Sequence, residues 1–446
     1  MKTHFARIST AVMLYVLLGV AAVRSQTIEW AVAAGSKNTN TKGDMPVSLA
    51  TDANGNTYLL SHIHEKEIYV GSTALPDGMG LAGSTMTLIS SLDKDGNYRW
   101  SKVIGGANTE AKEVKVVKNN VYLFGSVYTL PPYKAYYDKD YTTPSDYYSN
   151  ISLLCYDTSG NFQWVVRPDS IIATMDNSFY RPISFDVDDA GNSYMLVTMP
   201  PDSKIIGSSM RIPATAPYVG YGFYVLKYNP TGSLVSVTML KDFCYTKGTS
   251  GGVVDYKFTY NQISNEYYVY GVKVQLPKFD TLYINNAMLR NGMFFTAFGS
   301  DGTYKWDIRD DKEIFESVGI QKAQIDASGN IIIGGAGSKG RTFNGYKFEN
   351  LVLIDGTAAI PFIMKMRPSG SLIWCKTGGC FGGVTQFLGT FGMAMNAKHI
   401  AIGGVSGQRV FFGEPKDSIY INSHGQDGWF AVVDINSGKT VKMGAA

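Results

Sequence analysis

The chain has few of the residues that usually carry chemistry. Its 446 residues include only four cysteines and five histidines. No Cys-x-x-Cys pair occurs and no histidine stands at zinc-ligand spacing from a cysteine, which argues against a zinc or dithiol site. A Gly-x-Ser-x-Gly elbow, a phosphate loop and a Cys/His nucleophile signature are also missing. Only 17% of residues are charged, with 40 Lys+Arg against 37 Asp+Glu. After residue 25 no apolar run is long enough to span a bilayer. No segment carries a long apolar stripe of period 3.6, so amphipathic helices are not expected to build the core.

The front of the chain accounts for its slight basicity. Lys2 and Arg7 form a basic start, residues 11–23 are apolar, and Val23-Arg-Ser25 supplies small residues for cleavage. Residues 1–25 are therefore expected to be a signal peptide removed before Gln26. No cysteine lies there to carry a lipid. The segment holds three basic residues (Lys2, Arg7 and Arg24) and no acidic ones, so the remaining chain is formally neutral. Neutrality argues against a general nucleic-acid or anionic-membrane surface.

What the chain has in abundance is a repeated phrase. It reads Asp93-Lys-Asp-Gly96-Asn-Tyr-Arg-Trp100 and Asp157-Thr-Ser-Gly160-Asn-Phe-Gln-Trp164. It returns as Asn229-Pro-Thr-Gly232-Ser-Leu-Val235, Ser300-Asp-Gly302-Thr-Tyr-Lys-Trp306, Arg367-Pro-Ser-Gly370-Ser-Leu-Ile-Trp374 and Asn436-Ser-Gly438-Lys-Thr-Val441. Thr27-Ile-Glu-Trp30 is a further copy of the strand without its turn. A regular period means an array of equivalent units, approximately 31–100, 101–164, 165–235, 236–306, 307–374 and 375–441.

Each unit reads as four strands, a to d. In the fifth these are Ile320-Gln-Lys-Ala-Gln-Ile325, Ile331-Ile-Ile-Gly-Gly335, Phe362-Ile-Met-Lys-Met366 and Leu372-Ile-Trp374. Strands b and c are apolar on both faces, which a sheet needs only when covered on both sides. Four-stranded sheets stacked around an axis supply that cover. The expected fold is all-β: a six-bladed β-propeller of antiparallel blades over residues 26–446, its ring closed between N- and C-terminal strands. Thr27–Trp30 and Lys439–Met443 are both candidates to pair with strand c of blade six. Asp- and Gly-rich turns link a to b and c to d, so these short turns share one face. The long b–c connections lie on the other.

The pattern Asp52-x-x-Gly55-Asn56-x-Tyr58, with Trp100 before Gly105-Gly106 and Phe362/Lys365/Gly370/Trp374 before Gly378-Gly379, resembles the SBBP β-propeller repeats of secreted bacterial proteins. The second to fourth units depart from it: Lys118-Asn-Asn120 replaces a turn and Val235 a tryptophan. The resemblance implies a propeller in an exported, envelope or extracellular setting, as in Bacteroidetes proteins. It implies no reaction. The family name implies seven blades, where this chain counts six.

The candidate sites are few. Ser91-Leu-Asp93-Lys-Asp95-Gly96 comes near a sialidase Asp-box but places Trp100 one residue too far. Asp186-Val-Asp188-Asp189-Ala-Gly191 suggests calcium, yet lacks the closing acid of such loops. It reads better as an a–b turn. His62 and His64 share a strand face without a third ligand. Cys375-Lys-Thr-Gly-Gly-Cys380 is the candidate for a small disulfide loop. The b–c connections are the best binding candidates: Tyr133, Tyr136, Tyr137, Tyr141, Tyr147 and Tyr148 in the second, Arg341 and Phe343 in the fifth, and Arg409 and Phe411 in the sixth. Tyrosine brings large contact area at low entropic cost. The alternative is that these aromatics pack back on their own blades.

The expected function is therefore a non-catalytic binding platform, without cofactor or metal. It is expected in the periplasm, outer-membrane associated or secreted, serving an outer-membrane assembly or secretion complex without inserting into the membrane itself. An envelope protein, foremost an outer-membrane protein, is the expected partner. A carbohydrate-binding or adhesive module and a propeller glycoside hydrolase are the alternatives.

Overall fold

The computed structural model describes residues 34–36, 44–64, 68–75, 85–105, 109–127, 135–138, 141–143, 150–166, 184–199, 220–246, 253–274, 281–311, 319–349, 359–381, 392–406, 409–413 and 427–445. These residues contain strands and turns and no helix. A short strand, β1 (Ala34–Ser36), comes first. Blade one follows with β2 (Met45–Thr51) and β3 (Thr57–Ile63), then the connecting strands β4 (Ile68–Val70) and β5 (Thr73–Ala74), then β6 (Met86–Leu92) and β7 (Tyr98–Ile104). Blade two has β8 (Thr109–Val117), β9 (Asn120–Val127), the connecting pair β10 (Ala135–Asp138) and β11 (Tyr141–Thr143), β12 (Asn150–Asp157) and β13 (Phe162–Val166). Blade three is β14 (Ser184–Val187), β15 (Ser193–Met199), β16 (Gly220–Tyr228) and β17 (Leu234–Thr246).

Blade four runs β18 (Val253–Asn261), β19 (Glu266–Val274), connecting strands β20 (Thr281–Ile284) and β21 (Ala287–Met288), β22 (Gly292–Gly299) and β23 (Tyr304–Arg309). Blade five has β24 (Ile320–Ile325), β25 (Ile331–Ser338), connecting strands β26 (Thr342–Phe343) and β27 (Tyr346–Lys347), β28 (Ala359–Met366) and β29 (Leu372–Phe381). Blade six closes the chain with β30 (Gly392–Met395), β31 (His399–Ser406), the connecting strand β32 (Arg409–Phe412), β33 (Asp427–Asp434) and β34 (Thr440–Ala445). Every blade is an antiparallel a-b-c-d sheet, giving a six-bladed β-propeller.

The C-terminal strand pairs with strand c of blade six as expected. β34 pairs with β33 through Trp429↔Ala445 to Val433↔Thr440, while β31 holds the other edge of β33. Both edges of strand c are thus filled. The expected pairing of Thr27–Trp30 lies outside the described residues.

Apolar side chains explain the stacking. One buried cluster joins each neighbouring pair of blades from one to six; Tyr58, Leu60 and Ile89 meet Val114, Leu123 and Tyr156 between blades one and two. Phe223, Leu240 and Phe243 meet Phe258, Val269 and Phe294 between blades three and four. Ile332 and Ile363 meet Ile402, Trp429 and Val433 between blades five and six. Among the described residues no cluster joins blade six to blade one. The remaining cluster, Ile63, Ile68, Val70, Met86, Leu88 and Leu92, belongs to blade one alone.

The repeated phrase holds blades together from outside. Its acid caps the turn: Asp93 Oδ1 accepts from the amides of Asp95 and Asn97 at 2.9 and 2.8 Å. Gly96 adopts φ +82°, which a side chain would resist. The tryptophan of one blade then seats on the next blade's turn. Trp100 Nε1 donates to the Thr158 carbonyl (3.0 Å), Trp164 Nε1 to that of Pro230 (2.9 Å) and Trp306 Nε1 to that of Pro368 (3.0 Å). A Cβ on Gly160 would lie 2.7 Å from the Trp100 ring, so the glycine also makes room for the indole. In blade three the position opposite Lys227, where Trp374 stands opposite Lys365, is Ser236. The missing tryptophan is therefore at Ser236, not Val235.

Candidate functional site: the b–c face and the axial channel

The b–c connections build one face, and among the described residues two of them, in blades four and six, pair with the preceding blade. The end of β17 in blade three pairs with β20 of blade four, Phe243↔Ile284 to Thr246↔Thr281. The end of β29 in blade five pairs with β32 of blade six, Gly378↔Phe412 to Phe381↔Arg409. β1 pairs with β4 of blade one in the same way, Ala34↔Val70 to Ser36↔Ile68. Tight turns at Asn285-Asn286 and Asn344-Gly345, all with positive φ, close two of these hairpins.

This overlap decides the fate of several candidates. Phe343 is fully buried within the core shared by blades four and five. Phe411 is fully buried too, its ring filling the space above Gly379. Both are corrections to the binding set: these aromatics pack back on their own scaffold because strand pairing turns them inward. Arg341 is half-buried and its backbone closes the β26–β27 hairpin through bonds with Ser338 and Phe348. Arg409 sits on β32 opposite Phe381. Tyr136 and Tyr137 lie on β10 and Tyr141 on β11, a two-stranded ribbon separate from the blade sheets, with Tyr136 opposite Thr142 and Tyr141 opposite Asp138. Tyr133, Tyr147 and Tyr148 lie outside the described residues.

The disulfide candidate also fails. Cys375 is a free thiol, and Cys375 and Cys380 lie on one continuous strand. Five residues of extended chain separate their Cα atoms by roughly 16 Å, far beyond the reach of a disulfide. Burial pushes the Cys375 thiol well above its ordinary range. His62 Nε2 lies 2.9 Å from the Ala111 carbonyl, and His64 Nε2 lies 3.3 Å from Thr85 Oγ1. Among the described residues no three metal-ligating side chains converge. Asp188 caps its own a–b turn, accepting from the amide of Asn192 at 2.8 Å.

Sequence reading missed the axis. The innermost strands bring Glu113, Lys115, Asp186, Lys257, Gln321 and Lys322 together. Lys322 of blade five donates to Glu113 of blade two at 2.7 Å, bridging opposite sides of the ring. Lys115 meets Asp186 of blade three at 2.6 Å, and Lys257 of blade four meets Gln321 of blade five at 2.8 Å. Burial pushes the Glu113 carboxyl up, but the attraction of Lys322 and Lys115 outweighs it and holds the group below its usual range. Glu113 in turn raises Lys322. The signal was present as alternation in strand a, but one strand cannot reveal which blade it faces.

A second unread group is Asp310, after β23. Its Oδ2 accepts from the Met293 amide at 2.6 Å while its Oδ1 is buried without a partner. Burial raises this carboxyl to about 7.

No family model matches the chain, and no curated protein does. Among solved structures it is similar to a crystal structure of a eukaryotic initiation factor: 9% identity, TM-score 0.33, covering 92% of this chain and 90% of that one. It is also similar to the endosialidase of phage phi92: 9% identity, TM-score 0.34, covering 87% of this chain and 66% of that one.

Proposed function

We propose that the protein is a non-catalytic exported β-propeller. It serves as a rigid binding platform in the bacterial envelope and holds an envelope protein, foremost an outer-membrane protein, on its b–c face. The observation that carries this reading is the β10–β11 ribbon, which among the described residues forms a two-stranded sheet of its own and brings Tyr136, Tyr137 and Tyr141 together on the face where connections are long. Aromatic side chains on a backbone ribbon suit protein recognition. The axial charges supply further support. Glu113 and Asp186 are both engaged by lysines, an arrangement suited to holding blades rather than to general acid–base work. The resemblance to SBBP repeats supports the exported setting.

The test is affinity purification of the tagged chain from native envelopes, read by mass spectrometry. A stoichiometric membrane protein is expected. Replacing Tyr136, Tyr137 and Tyr141 together by Ala should reduce its recovery at least tenfold while the unfolding midpoint stays unchanged. Unaltered recovery would move the binding site elsewhere, and recovery of no partner would sink the platform reading.

A further inference from the structure

Blades four and five meet on the b–c face through a different kind of contact. Among the described residues, the β26–β27 hairpin of blade five forms a two-stranded sheet of its own and adds no strand to blade four. Asp311, just past β23 of blade four, ties the two together instead. Its amide donates to the Thr342 carbonyl at 3.2 Å, and its Oδ1 accepts from the Thr342 amide at 3.0 Å. The next hairpin residue, Phe343, enters the core shared by both blades. The tie therefore sits where the hairpin meets that core.

Asp310 fixes where Asp311 sits. Its amide donates to the Met293 carbonyl at 3.1 Å, and its Oδ2 accepts from the Met293 amide at 2.6 Å. Gly292 makes room for this carboxyl: its φ is +140°, and a Cβ there would lie 2.8 Å from Oδ2. Met293 is itself a buried member of the shared core. The carboxyl is thus seated beside apolar side chains, with Oδ2 bonded and Oδ1 buried without a partner among the described residues. A neutral acid fits such a seat, whereas a carboxylate would hold charge on an unsolvated oxygen. Burial raises the group to about 7 against the pull of the Met293 amide; Asp311 adds to the rise and Arg341 opposes it. Arg309, on the other side of Asp310, gives its guanidinium to Asp307 and to the Ile284 carbonyl, 3.2 Å away. Among the described residues, Asp311 and Arg341 are the charged groups that act on Asp310.

We infer that Asp310 is a pH-operated clasp between blades four and five on the b–c face. In its neutral form it stays in the seat made by Gly292 and Met293 and holds Asp311 against Thr342. When it loses its proton to solvent, Oδ1 must reach water, the carboxyl leaves the seat, and the Asp311–Thr342 tie opens. The folded value lies above 3.8, so the clasp is fully closed below 3.8 and is lost as pH rises through about 7. Mildly acidic surroundings close it and mildly alkaline ones open it. The clasp acts on the scaffold itself, whatever the b–c face binds.

Hydrogen exchange of the full chain at about pH 5.5 and about pH 8.5 tests this, each rate divided by the intrinsic rate of the free amide at that pH. In the parent, protection of the Asp311 and Thr342 amides should fall by roughly fivefold or more at the higher pH, while the β20 strand keeps its protection. Asp310→Asn, which stays neutral, should hold the acid level of protection at both values. An equal pH response in the variant, no response in the parent, or a loss shared by β20 overturns the inference. Should the variant fail to fold, the side-chain carboxyl carbon resonance of Asp310 in the parent decides. Titration near pH 7, followed by the Thr342 amide signal, is expected. Titration in the ordinary aspartate range overturns the clasp.

Discussion

The boundary between blades three and four and the boundary between blades six and one are made from the same repeat, yet they are held differently. The first buries Phe223, Phe243, Phe258 and Phe294 in one cluster, with Phe223 and Phe243 stacked at 4.0 Å between ring centroids. The second has half-buried Phe430 and Val432, exposed Leu49, and Lys442 where a tryptophan would sit. Repetition of sequence therefore sets the geometry of each blade, while the side chains between blades set how firmly neighbours adhere.

Substitutions should break this contrast in graded steps. The largest effect is expected from Phe223→Ala, which empties a fully buried site and should cost about 3–5 kcal/mol in urea denaturation. Phe430→Ala in the seam should cost well under half of that; equal losses would mean the two boundaries are equally packed. Glu113→Gln comes next, because it leaves the Lys322 ammonium without its partner across the axis. Both side chains retain some exposure, so the loss should be about 1–3 kcal/mol.

The pH dependence has a worked sign. Glu113 has a folded pKa below its unfolded one, so its contribution is present above the unfolded value of 4.5 and fades as pH falls through the folded value. The parent should lose this increment on acidification, and Glu113→Gln should show a flatter profile there. Asp310 acts oppositely. Its folded pKa of about 7 lies above 3.8, so the folded state loses stability as pH rises between those values. Asp310→Asn should therefore gain on the order of 4 kcal/mol at pH 8 and almost nothing at pH 4, measured by paired denaturation curves. A gain independent of pH would reject burial of the charge as its cause.

The smallest step compares two equivalent outer positions. Trp100→Ala should lower stability by about 1–2 kcal/mol by removing a half-buried indole and its bond to Thr158. Lys442→Ala should fall within about 0.5 kcal/mol of the parent.

Much of this architecture was legible from residue order. The Asp-x-x-Gly turns and the apolar b and c strands gave six four-stranded units, because turn chemistry and side-chain period are local properties. Ser236 stands four residues after Gly232, the spacing of Trp100 from Gly96 and Trp374 from Gly370, so this position too was legible from residue order. The burial of Phe343 and Phe411 depends on tertiary packing that a loop sequence does not show: Phe343 enters the core shared by blades four and five, and Phe411 lies on a strand paired with the preceding blade. The Glu113–Lys322 bridge joins residues 209 positions apart, and only closure of the inner strands around one axis brings them together.

The overlap of β20 and β32 with the preceding blade has a mechanical consequence. A partner that grips one hairpin pulls on two blades at once, through the hydrogen bonds of β17 with β20 or β29 with β32. Load applied to those hairpins is thus shared by two neighbouring blades rather than delivered to a single loop. Occupancy and resistance to unfolding become two readings of one equilibrium, so a bound partner should slow the opening of blades it never touches.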